Sequence, residues 1–205
     1  MNPSCDEYAR RVPGIGRLAL RPFDIGRHAG VAHRWLTSEH ARFWGMQDQS
    51  AAETVDYFAA IQRATTHQAL IGLHNDQPAF LLESYEPAAE PIGAHYPVAS
   101  GDRGFHILIA PPTQPIHLFT WAVFALVVDW LFSDPAVARL VVEPDVANQA
   151  IHTLNRRAGF CYRERIALAD KTAWLATCTE LDHDRAMIQL TSAQARVCGR
   201  IGVPA

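Results

Sequence analysis

From Arg103 to Leu168 the hydrophobic period switches between two residues and about 3.6, which leaves few architectures open. Arg103 to Ala110 (RGFHILIA) reads as a strand with Phe105, Ile107 and Ile109 on one face and His106 and Leu108 on the other. Pro111-Pro112-Thr113-Gln114-Pro115 breaks it, and Ile116 to Phe132 follows as an apolar helix. Arg139 to Glu143 is a short buried strand. Val146 to Ala158 is a helix stopped by Gly159, a residue able to take the left-handed conformation past a helix end. Phe160 to Leu168 and Thr172 to Thr179 complete the pattern as two strands.

The first half supplies the rest of the sheet. Gly16 to Pro22 alternates as a strand, Asp24 caps a helix to about Leu36, and Arg42 to Gln49 is an aromatic, glycine-interrupted loop. Ala51 to Ala64 is a helix with Val55, Phe58 and Ile61 on one face; strands at Gln68 to His74 and Pro78 to Tyr85 flank the turn Asn75-Asp76-Gln77. Glu86 to Ser100 is a proline-bearing connection. The order β-α-α-β-β-β-α-β-α-β-β predicts one α/β (α+β) domain with a central mixed, mostly antiparallel sheet flanked by helices. We place that domain at residues 1–182. Residues 183–205 read as a helical appendage, with Met187, Leu190, Ala193 and Val197 as its stripe, packed on the domain or on a second subunit and removable without loss of the core.

Composition sets the outer limits. A chain of 205 residues, 49% apolar and 19% charged, buries enough surface to fold without disulfide or metal. A net charge of −3 argues against nucleic acid as partner. Trp121 to Phe132 carries Asp129 and is too short for a membrane span, and the start of the chain lacks a secretory pattern. Cys5, Cys161, Cys178 and Cys198 have no metal-ligand spacing, so the expectation is a cytoplasmic protein, monomer or homodimer, with no metal. Seventeen arginines stand against one lysine, Lys171. A GC-rich genome produces that excess, and so does bidentate recognition of phosphate or carboxylate; composition does not choose between them.

Val141-Val142-Glu143-Pro144-Asp145-Val146-Ala147-Asn148, followed by Ile151, Leu154 and Ala158-Gly159-Phe160, resembles the late strand-helix-strand segment of GNAT N-acyltransferases. Phe43-Trp44-Gly45-Met46, His95-Tyr96-Pro97 and Gly101-Asp102-Arg103-Gly104-Phe105-His106 are similar to the siderophore-biosynthesis branch, which contains hydroxylysine, alcaligin and mycobactin acyltransferases. The resemblance covers roughly residues 16 to 180. It implies direct acyl transfer from acyl-coenzyme A, acetyl or succinyl, to a small amine or hydroxylamine. The product is then a hydroxamate whose hard oxygens suit Fe(III).

By the same resemblance His106 and Asp145 are the catalytic pair, facing each other across the acceptor nitrogen as base and positioning partner. A histidine at its ordinary value near 6.5 accepts a proton at neutral pH, and Asp145 also suits a helix cap. Coenzyme A falls to Ile107 and Ile109, to Gln114, Ile116, His117, Leu118, Phe119 and Thr120, and to Asn148 and Asn155. The stretch from Gln114 departs from the family's glycine-rich loop, and Pro115 lacks an N–H, so His117 or Thr120 is expected to supply donors in its place. Thioester polarisation falls to backbone N–H groups of the His106 strand. Trp44, Met46, Tyr85, His95, Tyr96 and Arg103 are the acceptor-pocket candidates, and Arg156 or Arg157 the candidates for coenzyme A phosphates. Two other readings stay open. One is a different GNAT acetyltransferase, for an aminoglycoside or peptide amine, using Glu83, Glu86, Glu90, Asp102 and Asp145 as an acidic pocket; the other is a non-catalytic acyl-coenzyme A sensor.

Overall fold

A computed structural model describes residues 7–112 and 114–199. Local sequence explains most element ends. Asp24 accepts from Arg27 N–H at 2.9 Å and starts helix α1 (Ile25–Leu36). Ser50 and Glu53 form a capping box at the start of α2 (Ala51–Arg63). The loop expected from Arg42 begins earlier, as a 3₁₀ turn over Glu39–Trp44, and ends at Gly45 with φ of 67°.

Strands β1 (Tyr8–Val12), β2 (Gly16–Pro22), β3 (His67–His74), β4 (Gln77–Tyr85), β5 (Asp102–Ile109), β6 (Arg139–Val142), β7 (Cys161–Ala167) and β8 (Thr172–Thr179) form one sheet. Its order is β1-β2-β3-β4-β5-β6-β8-β7. Neighbours are antiparallel except β5 and β6, which run parallel. β1 was not expected: it is an edge strand whose middle residues are exposed, so its sequence carries no alternation.

The pleat sorts the core by odd and even positions. Leu18, Leu20, Phe80, Leu82 and Phe105 face helix α3 (Phe119–Phe132) through Val123, Phe124 and Val127. Ala19, Ile71, Leu81 and Leu108 face α1 and α2 through Trp35, Leu36, Phe58 and Ile61. The sheet is therefore covered on both sides.

Two helices start later than the periodicity suggests. α3 begins at Phe119 rather than Ile116, after Leu118 takes a left-handed φ of 61° behind Pro115. Helix α4 (Gln149–Arg157) begins at Gln149 rather than Val146, because Pro144 and Val146 are held extended against β8: Trp174 N–H donates to the Pro144 carbonyl at 3.0 Å and Val146 N–H to that of Thr172 at 3.0 Å. Gly159 has a φ of 99°, and a Cβ there would meet the Asp182 carbonyl oxygen at 2.5 Å. Helix α5 (Glu180–Gly199) follows β8 directly and runs through position 183 without a break. His183 is buried, bonded to the Ala158 carbonyl at 2.8 Å and 3.2 Å from an Asp129 oxygen. Of the stripe expected on this helix, Ala193 and Val197 lie outside the described side chains.

The parallel pairing of β5 and β6 lasts only through Asp102–Arg139 and Arg103–Leu140. Beyond it the strands part. The gap opens into a cleft of about 1150 Å³, walled by β5, by the segment after β6, and by the ends of α3 and α4. Asp102 anchors the closed end, taking two 2.7 Å bonds from Arg139, one from Tyr96 Oη at 3.0 Å and one from Ala99 N–H at 2.9 Å.

Candidate active site

Cross-strand register builds the cleft wall. β4 and β5 place Glu83 opposite His106, and Tyr85 opposite Gly104. A Cβ on Gly104 would sit 2.0 Å from the Tyr85 ring, so glycine is what lets that ring lie across the strand. Glu143 arrives from the end of β6. Its Oε1 lies 2.9 Å from His106 Nε2, and its Oε2 accepts from Tyr85 Oη at 2.8 Å. On the other side of the imidazole, Glu83 Oε2 lies 3.6 Å from Nδ1. Glu83 is fully buried and both its oxygens accept from Tyr57 Oη, at 3.0 and 2.9 Å, while His67 Nε2 stands 3.6 Å away.

The charges follow from these contacts. Burial by itself lowers a histidine, but the carboxylates of Glu143 and then Glu83 outweigh it and push His106 up to about 10. Burial raises a carboxyl group, yet His106, Lys171 and the Tyr85 hydroxyl bring Glu143 down to about 2. Glu83 is lowered against its own burial by His106 and His67. At neutral pH the pair is imidazolium and carboxylate. Two carboxylates, not solvent, set its protonation, and they favour imidazolium where the sequence led to the expectation of a neutral imidazole.

Asp145 does not stand against His106. Its side chain accepts from Ala147 N–H at 2.7 Å and lines the cleft two residues beyond Glu143, while the cap of α4 is Asn148, which accepts from Ile151 N–H at 3.3 Å. Among the described residues no hydrogen bond or ion pair joins Asp145 to His106.

Of the acceptor-pocket candidates, Trp44, Met46 and Tyr85 line the cleft, and the Trp44 ring meets His106 edge-on at 5.9 Å. His95 and Tyr96 do not line it; the Tyr96 hydroxyl is spent on Asp102. Arg103 is also misplaced by the expectation, since strand alternation sends it to the face away from His106, beside Trp130 and Val137. Arg156 and Arg157 stack on Tyr162 and Trp121, with guanidinium carbons 4.7 and 4.2 Å from the ring centres. Neither lines the cleft.

The coenzyme A candidates mostly converge. Ile107, Ile109, Gln114, Ile116, Phe119, Thr120, Asn148 and Asn155 share the cleft, whereas His117 and Leu118 do not line it. The loop donor expected from His117 is not placed there. Ala110 N–H donates to Ala79 on β4 at 2.9 Å, so alternation turns the N–H groups of Ile107 and Ile109 toward the cleft; the Ile109 carbonyl already accepts there from His40 Nε2 at 3.0 Å.

Glu143, Tyr57, His67 and Lys171 went unassigned by sequence reasoning, and Glu83 appeared only among scattered acids. A charged residue ending the apolar run Leu140-Val141-Val142, and the single lysine, were the available signals. Among the described residues no group of three or more His, Cys, Asp or Glu is arranged to hold a metal ion, and no helix is long and apolar enough to cross a membrane.

A mixed sheet splayed between its parallel strands, with ionised groups on one wall and a helix N-terminus at the mouth, defines an acyl-transfer fold. The chain belongs to the acetyltransferase (GNAT) domain family, whose match spans residues 24–168. It is 27% identical over 167 residues to the N(6)-hydroxylysine O-acetyltransferase of Escherichia coli, a match covering 77% of this chain and 51% of that one. The chain thus spans about half the length of that curated relative. Solved structures with the same fold include two from different proteins. An uncharacterized protein from Bacillus halodurans superposes with a TM-score of 0.82 at 20% identity, covering 88% of this chain and 93% of its own. The aminoglycoside acetyltransferase AAC(6')-Ib, in complex with paromomycin and acetyl-CoA, does so with a TM-score of 0.72 at 21% identity, covering 81% and 95%.

Proposed function

We propose that this chain is an acyl-coenzyme A-dependent N-acyltransferase that acylates a small N-hydroxylated amine, an N-hydroxydiamine or N-hydroxylysine, and so forms a hydroxamate for siderophore biosynthesis. The observation that carries the reading is His106 held between Glu143 and Glu83 on the wall of the splayed cleft. The hydroxylysine acetyltransferase of Escherichia coli supports the acceptor class.

The coenzyme A pyrophosphate lies at the N-terminus of α3, near Gln114 and Thr120, where free amides and the helix dipole favour an anion. The pantetheine arm runs along the open edge of β5, and the Ile107 and Ile109 amides face the thioester carbonyl. The acceptor occupies the end lined by Trp44, Met46 and Tyr85.

Glu143 is the base and His106 the acid. The acceptor nitrogen attacks the thioester carbon as Glu143 takes its proton; the carbon–sulfur bond then breaks and the departing thiolate takes a proton from imidazolium His106. Glu143 returns its proton to His106 across their 2.9 Å contact, and no proton is released overall. A hydroxylamine suits this cycle because it arrives neutral. Asp145, at the rim, takes the part of positioning the acceptor.

Of the five acids of the aminoglycoside reading, Glu83 is sealed behind His106, Asp102 is locked by Arg139 and Glu86 lies outside the cleft, while Glu90 and Asp145 line it, so the acceptor assay carries the choice. Thiol release measured with N-hydroxycadaverine, N-hydroxyputrescine and N-hydroxylysine against kanamycin and a peptide amine tests the reading. Turnover confined to the hydroxylamines is expected. Faster turnover of the aminoglycoside, or coenzyme A binding without turnover of any acceptor, overturns it.

A further inference from the structure

Lys171 is the single lysine in a chain with seventeen arginines, and it stands in the cleft wall. Backbone bonds fix it there. Leu168 N–H donates to the Lys171 carbonyl at 2.9 Å across the β7–β8 turn, and the next residue, Thr172, accepts from Val146 N–H at 3.0 Å. That tie draws the turn against Glu143-Pro144-Asp145. It brings Lys171 Nζ to 3.6 Å from Glu143 Oε1, the oxygen that also lies 2.9 Å from His106 Nε2.

At 3.6 Å the ammonium is an ion-pair partner without a short hydrogen bond, and it has three N–H donors to place. His106 and Tyr85 already hydrogen-bond the two oxygens of Glu143, so Lys171 acts on that carboxylate through its charge and its N–H donors stay available. The Lys171 side chain keeps 19% of its surface open. Arg42 is the other arginine or lysine among the described wall residues; it is exposed and lies over the Phe43 ring at 4.6 Å. What singles out Lys171 is its place: it stands 3.6 Å from Glu143, beside the reacting pair, with donors to spare.

We propose that Lys171 forms a subsite for a substrate carboxylate, placed to select the coenzyme A thioesters of short dicarboxylic acids. The inference rests on the acyl-transfer reading and specifies its donor. In a succinyl group three carbon–carbon bonds, about 4 Å, separate the thioester carbonyl from the distal carboxylate. A carbonyl held at His106 and Glu143 thus brings that carboxylate within reach of the ammonium. A carboxylate on the acceptor offers the same chemistry from the opposite side.

The test compares the wild-type chain with Lys171→Met, which keeps the length of the side chain without its charge, and with Lys171→Arg. Binding of succinyl-CoA and acetyl-CoA is measured by calorimetry. Turnover is measured for both donors with N-hydroxylysine and with N-hydroxycadaverine, which lacks the carboxylate. The wild type is expected to prefer the succinyl donor, Lys171→Met to reduce the succinyl-to-acetyl ratio by about tenfold or more, and Lys171→Arg to restore part of it. Any loss caused by disturbing Glu143 affects both donors and cancels in the ratio. A fall confined to the ratio of N-hydroxylysine to N-hydroxycadaverine assigns the carboxylate to the acceptor and overturns the donor assignment. Equal losses for all substrates, or unchanged ratios, overturn the subsite. Failure of the acyl-transfer reading looks different: no thiol release from any pair, with the two binding constants still reporting on Lys171. Absence of binding by either thioester overturns both.

Discussion

His106 keeps its proton because a carboxylate stands on each side of the ring, and Glu143 keeps its charge because His106, Lys171 and the Tyr85 hydroxyl surround it. Replacing His106 by alanine is expected to lower kcat by roughly 10²–10⁴, the usual weight of a proton-transfer group. Near wild-type turnover at saturating substrates would remove His106 from the chemistry. With a neutral hydroxylamine the profile of kcat/KM against pH should show no inflection near 6.5, the ordinary histidine value, and should fall instead toward about 10. A rise centred near 6.5 would restore a neutral imidazole base. Stability follows the same pair. His106 is raised, so its contribution is complete below 6.5 and lost as pH climbs toward about 10; Glu143 is lowered, so its contribution is present above 4.5 and lost as pH falls toward about 2. Urea midpoints across pH should decline on the alkaline side in the wild type and less so in His106→Gln. Sequence could show that His106 points away from Phe105 and Ile107, because neighbours along a strand decide that. It could not show Glu83 opposite, because the connection from Glu86 to Gly101 leaves the β4–β5 register free.

Two contacts between elements carry more than their size suggests. Gly104 on β5 makes room for the Tyr85 ring on β4, and Tyr85 is fully buried with its hydroxyl on Glu143. Gly104→Ala pushes that ring into close-packed neighbours and is expected to destabilise the chain by about 1–3 kcal/mol while lowering kcat, through loss of the Tyr85–Glu143 bond. Unchanged midpoint and activity would show that the ring has room to retreat. His183 on α5 meets the Ala158 carbonyl and Asp129, joining the last helix to the end of α4 and to α3. Burial works against its charge, but Asp129 and the carbonyl raise its pKa above the ordinary value. That contribution is therefore present below 6.5 and lost as pH rises through the raised value, and His183→Ala should flatten part of the alkaline decline. The helix cap at Asp24 was legible in the sequence because a cap bonds within three residues. The late starts of α3 and α4 were not, since one follows a left-handed Leu118 and the other a tie between Pro144 and β8.

At the scale of the whole molecule, Asp102 and Arg139 lock the closed end of the sheet, and the parting of β5 from β6 turns two strand edges into the walls of one cleft. The last helix belongs to this body at least through His183. A chain ending at residue 182 removes a buried side chain and its partners, and we expect it to unfold at a urea midpoint clearly below that of the full chain, by the equivalent of about 1–3 kcal/mol. Coincident midpoints would mean that α5 is dispensable to the core.

The amino-acid sequence by itself determined the faces of the strands and most of the helices, because each depends on residues a few positions apart; His106 became a candidate only through the resemblance of Gly101-Asp102-Arg103-Gly104-Phe105-His106. Only the tertiary structure decided which groups meet His106. Glu83, Glu143, Tyr57 and Lys171 come from three strand ends or turns and a helix, and they converge through register and splay. Pairing geometry of that kind is a property of the packed sheet, and a one-residue slip of β4 against β5 would take Glu83 away from His106.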